Sequence, residues 1–497
     1  MTLPRRFAAR SLAVVLVLGL GAPLAATAQT SPAVMPVQVP TPAPMPTVSG
    51  TPIPYPAYGT PAPDVATLKE RPGVPTTLTL NQAIDIAVAQ SPSFASERAA
   101  YRAIAARYSS EKGALLPNIS ASGSIQRQYG STSNGNNNAS ASPAPTNAPS
   151  NVYTTESGSV SLSELIFDGG RVIAGIRSAK EADIAGRDTL LRQLQALAYS
   201  VAGTYYTLLE DRASVTSDNA LVHEFEINEQ YVTAQIRTGA AARSDLAAAQ
   251  FQTAQARGLL VTAQGQEIAA EGAFATTLGL DADTEVAPKA LSSSPSQVKL
   301  LTYAESLKEA YTLRPDFLAA EYSVESDREN LRYAKLARFP SISANASLGT
   351  SRTLIQTPAV ATPFSSTRSL GATISIPIYD QGLTNYNVAT AAAALDQGKD
   401  ALTSTRLLVQ SDVRGGLANL ISARATLVQA RSEVASATVS LQATQAQYKV
   451  GASTITAIVT AEANLATAQR DYVAALYGER LAEENYAYVL GASDLRL

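Results

Sequence analysis

The residues able to carry chemistry are few. The chain has a single histidine, His223, and no cysteine. That removes the usual imidazole bases, thiolate nucleophiles and His/Cys metal ligands, so any catalysis would rest on carboxylates alone. No metal site and no cofactor is implied, and neither a disulfide nor a lipid-modified cysteine is available. A formal net charge of -3 offers nothing to nucleic acid. An envelope enzyme working through carboxylates is one reading carried forward, but the sequence is far richer in architecture than in reactive groups.

The N-terminus sets the compartment. Arg5, Arg6 and Arg10 precede an apolar run from Leu12 to Leu20 and the small residues Ala26-Thr27-Ala28, the pattern of a secretory signal peptide spanning residues 1–28. The run is far shorter than the roughly 20 residues a membrane-spanning helix needs. The flanks of Arg5-Arg6 fit twin-arginine export poorly, so the expectation is Sec-type export. No later stretch is apolar for long enough to cross as a helix, which leaves a soluble mature chain or one that crosses as strands. Residues 29–77 are dense in Pro, as in Pro40-Thr41-Pro42-Ala43-Pro44, and read as an extended, disordered lead acting as a solvated spacer.

Beyond the lead the chain repeats itself. Leu78-Thr79, Ala87 and Pro92-Ser93-Phe94 recur as Leu301-Thr302, Ala310 and Pro315-Asp316-Phe317, and Leu116-Pro117 recurs as Phe339-Pro340 at the same spacing. Further on, Ile166-Phe167-Asp168-Gly169-Gly170 matches Ile378-Tyr379-Asp380-Gln381-Gly382, Gly239 matches Gly451, and Leu278-Gly279 matches Leu490-Gly491, all at a shorter spacing. One insertion explains the change, and it falls in the Ser/Asn/Pro-rich tract from Tyr129 to Asn151. The expected domains are repeat 1 over 78–280, a linker over 281–300, repeat 2 over 301–491 and a short tail over 492–497.

Each copy predicts the same elements. A short helix ends before Pro92 or Pro315, with Ser91 as a candidate cap for a second helix that ends near Pro117 or Pro340. Two strands follow. Ile119, Ala121, Gly123 and Ile125 alternate with Asn118, Ser120, Ser122 and Ser124, and Ile342, Ala344, Ala346 and Leu348 alternate with Ser341, Ser343, Asn345 and Ser347. The second strands carry Val160 and Leu162 in one copy and Ile374, Ile376 and Ile378 in the other, with Glu164 at the membrane boundary. Such alternation suits a wall between lipid and water, or an ordinary half-buried sheet. A long helical pattern comes next. Val413, Leu420, Leu427, Val434, Leu441 and Tyr448 repeat every seven residues, with Gly416, Ala423, Ala430, Ala437 and Thr444 as the small partners of the first five. Val201, Leu208, Val215 and Val222 hold the matching phase in copy one. No Pro interrupts Asp168 to Gly239, so a helix of about 70 residues would run roughly 100 Å.

Four strands cannot close a barrel, since single-chain outer-membrane barrels begin at about eight and open edges are not tolerated in lipid. Several copies must share one barrel, with their helices gathered into a tube. A fibrous coiled-coil adhesin is an alternative, although it has no use for a duplicated helix-strand-strand-helix unit.

Over about residues 78 to 491 the sequence resembles the TolC-type outer-membrane efflux proteins. The resemblance rests on the paired openings Leu78 to Pro92 and Leu301 to Pro315, on the junction Ile166 to Gly170, and on the turns Arg237-Thr238-Gly239 and Tyr448-Lys449-Val450-Gly451. It implies a mainly helical homotrimer in the outer membrane of a Gram-negative bacterium: a transmembrane twelve-stranded β-barrel continued into the periplasm by a helical coiled-coil barrel. Its implied partners are outer-membrane lipid, a periplasmic adaptor and an inner-membrane pump. Its role would be an efflux duct for small molecules or, alternatively, the exit duct of a type I protein secretion system.

The resemblance also assigns residues. Asp168, Gly169, Gly170, Asp380 and Gly382 form the strand-to-helix junctions. Gly239, Ala240, Ala241, Gly451, Ala452 and Ser453 are adaptor-docking candidates at the helix reversals. Asp245 and Tyr448 match a linked pair that holds the closed tip, and Ser244 and Ser453 match a second link whose usual Arg is missing. Arg243 is either its replacement or an exposed surface charge. The inward acidic rings of the family fall on Ala457 and Thr460, so the expected gate is weakly charged. His223, in mid-helix, is expected to be solvated or packed.

Overall fold

The computed structural model describes residues 77–130, 151–239, 241–290, 298–356 and 359–492. The signal peptide, the Pro-rich lead up to residue 76, the inserted tract 131–150, Ala240, residues 291–297 of the linker, 357–358 and the tail from 493 lie outside them.

Each repeat opens with a short strand or extended residue and two helices. In the first, β1 (Thr77–Leu78) leads into α1 (Leu80–Gln90) and α2 (Pro92–Gly113). Thr79 begins α1 with a reciprocal capping box: its hydroxyl accepts from Gln82 N while the Gln82 side chain accepts from Thr79 N. Ser91 precedes α2 with Pro92 in the first turn, but its side chain does not cap the helix; its Oγ meets Ser93 Oγ at 2.8 Å instead.

The strands β2 (Asn118–Gly130) and β3 (Asn151–Phe167) form an antiparallel pair, with Ile119 opposite Leu162 and Ala121 opposite Val160. The helix α3 (Arg171–Arg237) then runs unbroken for 67 residues, about 100 Å at 1.5 Å per residue, and reverses into α4 (Arg243–Thr277). After β4 (Ala287–Pro288), which pairs in parallel with β1, the second copy follows: α5 (Tyr303–Leu313), α6 (Pro315–Leu336), β5 (Ser341–Gln356), β6 (Ala359–Ala361), β7 (Ser365–Ser375), α7 (Leu383–Lys449) and α8 (Ile455–Leu490). α7 is also 67 residues long.

β6 and β7 pair with successive stretches of the same edge of β5, so the sheet is in effect four strands wide in the order β2, β3, β5, β7. Its faces differ as the alternation predicts. One carries a ladder of hydroxyls, Ser120 to Ser161 at 2.8 Å, Ser122 to Ser159 at 2.9 Å, Ser124 to Ser157 at 2.8 Å and Ser347 to Ser369 at 2.7 Å. The other exposes Ile119, Val160, Leu348, Ile374 and Leu370, the last 87 % accessible. One strand is shorter than expected. β7 stops at Ser375, so Ile376 and Ile378 lie beyond the sheet, because Pro377 has no N–H to continue the ladder. β3, without a proline, continues through a bulge to Phe167.

The long helices are lined in two stages. Along its N-terminal half α3 packs against α2 and α6, where Ser178 Oγ donates to Asn330 Oδ1 at 2.8 Å and Gly186 lets Ile104 and Tyr101 approach. Nearer its C-terminus α4 takes over, and α8 does the same for α7. The predicted seam is the buried one: Val413, Gly416, Leu420, Leu427, Ala430 and Leu441 in α7, and Val201, Leu208 and Val222 in α3. Two matching cores lock each repeat at its middle. Tyr205, Leu208, Phe274 and Leu278 enclose α1, while Val413, Leu420, Tyr486 and Val489 enclose α5.

Candidate functional site: junctions, collar and helical tip

The junction at which the sheet becomes a helix depends on an aspartate two residues before each helix cap. Asp168 Oδ1 accepts from Gly170 N and Arg171 N, both at 3.0 Å, and Oδ2 accepts from Val172 N at 2.6 Å. Asp380 does the same for α7 through Gly382 N at 3.1 Å and Thr384 N at 2.8 Å. The hydroxyl and N–H of Thr384 hold the Asp380 carboxyl below the usual carboxylate range. A carboxylate over the first turn also complements the helix dipole. Gly170 and Gly382 take φ of 85 and 87. Gly169 is doubly constrained, by φ of 71 and by Phe339, whose Cβ would lie 2.6 Å from an added Cβ. Its counterpart Gln381 reaches φ of 57 with a full side chain.

Halfway down sits a charged collar that sequence reasoning missed. Arg314, 1 % exposed, donates to Asp316 Oδ1 at 2.9 Å, to Asp316 Oδ2 at 2.6 Å and to Asp412 Oδ2 at 2.9 Å. Arg192 adds a contact to Asp316 at 3.5 Å and lies 3.7 Å over the Tyr488 ring. Burial disfavours the charge on Asp316, but hydrogen bonds from Arg314 and the charges of Arg192 and Arg314 outweigh it and keep the carboxyl below its usual range. The collar clamps α5 and α6 onto α3 and α7. The only advance signal was Arg314 replacing Ser91 in the repeat alignment.

At the tip both long helices turn at a glycine with φ of 77, Gly239 and Gly451, the left-handed geometry that ends a helix cleanly. Gly239, Gly451 and Ala452 are exposed, Ala241 and Ser453 are half-buried, and Ala240 lies outside the described residues. The returning helices start differently. Thr454 Oγ1 accepts from Ala457 N at 3.3 Å, whereas Ala242 has no side-chain acceptor, and Asp245 instead accepts from Ala242 N at 3.2 Å. Asp245 therefore caps α4, which gives the Asp245/Ala457 difference between the copies a local structural reason. Behind the turns Val232, Ala249, Leu441, Ile455, Ile458 and Ala461 form a core with Tyr448 and Ile236 at its edge.

Here the expected pairing differs from the observed one. The Tyr448 hydroxyl donates to Gln235 Oε1 at 3.0 Å, not to Asp245, whose other contact is Ser244 Oγ at 3.4 Å. Gln235 sits one turn before the end of α3, beside α7, and satisfies the hydroxyl before α4 can. Asp245 still lies close enough to act on Tyr448 by charge: burial first, then Tyr231 and Asp245, push that phenol up. Ser244 and Ser453 make no hydrogen bond to each other, and Thr460 is exposed with its hydroxyl on Thr456 O at 2.9 Å. Arg243 and His223 are exposed. A second, buried acidic residue near the tip was overlooked: Glu462 on α8, two residues beyond Thr460 and 4 % exposed. Burial, with Glu224 adding repulsion, pushes its pKa up to about 7.

A sheet apolar on one outer face and hydroxyl-lined on the other, continuous with paired helical hairpins about 100 Å long, defines the subunit of a membrane channel prolonged by a helical tube. Residues 83–280 and 306–492 match the outer membrane efflux protein family, and the chain belongs to that family of outer-membrane channels. Among its relatives, the outer membrane efflux protein BepC of Brucella suis biovar 1 is 25% identical over 323 residues, covering 64% of this chain and 68% of BepC. The protein CyaE of Bordetella pertussis is 22% identical over 421 residues, covering 84% of each. Among solved structures, CusC superposes with a TM-score of 0.70 at 18% identity, over 86% of this chain and 96% of that one. The fold is therefore that of the helical barrel joined to a β-barrel, and the protein resides in the outer membrane.

Proposed function

We propose that three copies of this chain close one twelve-stranded barrel and form the outer-membrane duct of a tripartite export system. In this system an inner-membrane pump supplies small molecules through a periplasmic adaptor, and the duct carries no catalysis of its own. The observation that carries the reading is the four-stranded sheet with two open edges and an exposed apolar face, leading directly into helices of about 100 Å. Open edges in lipid leave backbone groups unsatisfied, so other copies must pair with them. The helix-reversing turns, with Gly239, Ala241, Gly451 and Ala452, serve as the adaptor's docking points, and Ala240 joins them on the sequence alone. The gate lies just behind them at Ser244, Asp245, Tyr448, Ser453, Ala457 and Thr460 and is held by the Tyr448 to Gln235 bond and the Asp245 cap rather than by an acidic ring.

The first test is purification: a detergent-extracted, heat-modifiable trimer is expected, and a water-soluble monomer would sink the duct. Deletion of the gene should raise sensitivity to small toxic compounds; loss of one secreted protein with unchanged sensitivity would instead favour a secretion duct. For the gate, Asp245→Ala should raise closed-state conductance in planar bilayers, and an unchanged value removes Asp245 from it.

A further inference from the structure

Below the tip core, between α3, the end of α7 and the start of α8, lies a cavity of 310 Å³ that shares only Tyr448 with the proposed gate. Its walls are Ile227 and Ile458, the rings of Tyr231 and Tyr448, and two carboxylates, Glu224 from α3 and Glu462 from α8. Glu462 is the unusual member. It is 4 % exposed, yet Oε2 has no hydrogen-bond partner. A buried carboxyl oxygen left unpaired is an expensive feature in a packed helical seam, and such groups are ordinarily satisfied.

We propose that this cavity is a binding site for a small amphipathic organic cation, one ammonium group bearing a single aromatic or branched apolar body. The Glu462 side chain on the inner wall is the anchor, Glu224 at the mouth adds a second negative charge, and Tyr231 and Tyr448 line the cavity beside them. The volume lies at the lower end of ordinary ligand pockets, which suits a one-ring ammonium rather than a multi-ring compound. Neither of the proposed gate positions Ala457 and Thr460 lines the cavity.

The groups facing Glu462 set its pH behaviour. From α3 these are Glu224 and Tyr231; from α7, Tyr448 and the ammonium of Lys449 at the exposed rim. Asp245 of α4 acts on Tyr448 from behind, and His223, next to Glu224 in sequence, is exposed. Glu462 gains its charge only as pH rises through about 7, so cation binding should strengthen over that interval. Lys449, on the same cavity wall, repels a bound cation by like charge. The site does not depend on the Asp245 gate, so the two ideas fail separately.

The test is calorimetric titration of the full-length protein in detergent with benzyltrimethylammonium, using benzyl alcohol as neutral control and benzenesulfonate as anionic control. Saturable binding of the cation alone is expected, tighter at pH 8 than at pH 6. Glu462→Gln, which mimics the protonated acid and keeps the fold, should weaken it on the order of ten-fold. Lys449→Ala should strengthen it. The proposal is overturned by absence of saturable binding into the millimolar range, by equal binding of the neutral or anionic probe, by wild-type affinity in Glu462→Gln, or by loss of binding in Lys449→Ala.

Discussion

Replacing Glu462 with Gln should make the tip more stable above neutral pH and leave it unchanged in acid. The folded tip raises this carboxyl from 4.5 to about 7, so the folded state binds the proton more tightly than the unfolded one. Stability from this group is complete below pH 4.5, declines as pH rises and is lost once pH passes about 7. At about 1.4 kcal/mol per pKa unit the full difference would approach roughly 3 kcal/mol. The cavity beside Glu462 is open to water, which screens the charge, so about 1–2 kcal/mol is the reasonable expectation. That corresponds to roughly 5- to 30-fold in local opening. Hydrogen exchange read by mass spectrometry on α8 peptides around residues 455–470 measures it directly, comparing wild type and variant at the same pH. Protection in the variant should exceed wild type by that factor at pH 8 and converge with it at pH 5. Equal protection at both pH values, or weaker protection of the variant at pH 8, would refute the assignment of a strained buried carboxyl.

Other outcomes follow from the junction, the collar and the sheet. Gly169→Ala combines a left-handed backbone with a clash on Phe339 and should lower stability by about 2 kcal/mol, against about 1 kcal/mol for Gly170→Ala, where nothing meets the new Cβ; thermal unfolding of the two variants ranks them. Arg314→Leu leaves Asp316 and Asp412 without their shared cation and should cost about 3–5 kcal/mol, partly recovered by adding Asp316→Asn and Asp412→Asn; urea unfolding reads both steps. Leu370→Arg places a charge on the exposed apolar face and should cost about 2–4 kcal/mol of barrel stability in lipid, whereas Ser347→Leu on the hydroxyl-bearing face should shift single-channel conductance with little loss of heat resistance.

Most of the architecture could be read from local pattern. The duplicated signatures, the period-two strands, the Pro-free helical stretches and the reversing glycines each depend on residues a few positions apart. Backbone geometry turns such spacing into structure regardless of what lies opposite. The same locality explains where the reading fell short. Pro377 ends β7 before Ile376 and Ile378, a signal present in the sequence but outweighed by the run of isoleucines.

What lies across from each side chain is another matter. That Tyr448 donates to Gln235 rather than Asp245, that Arg314 gathers Asp316, Asp412 and Arg192, and that Phe339 forbids a side chain at Gly169 all depend on how far each helix is rotated about its axis. A heptad pattern gives the buried stripe but leaves that rotation free by tens of degrees, enough to exchange one neighbour for the next. Glu462 illustrates the division. The sequence alone determined a helix there with a carboxylate near the tip. Only the packing of α3 against α8 decided that this carboxylate would be buried, unpaired and opposite Glu224.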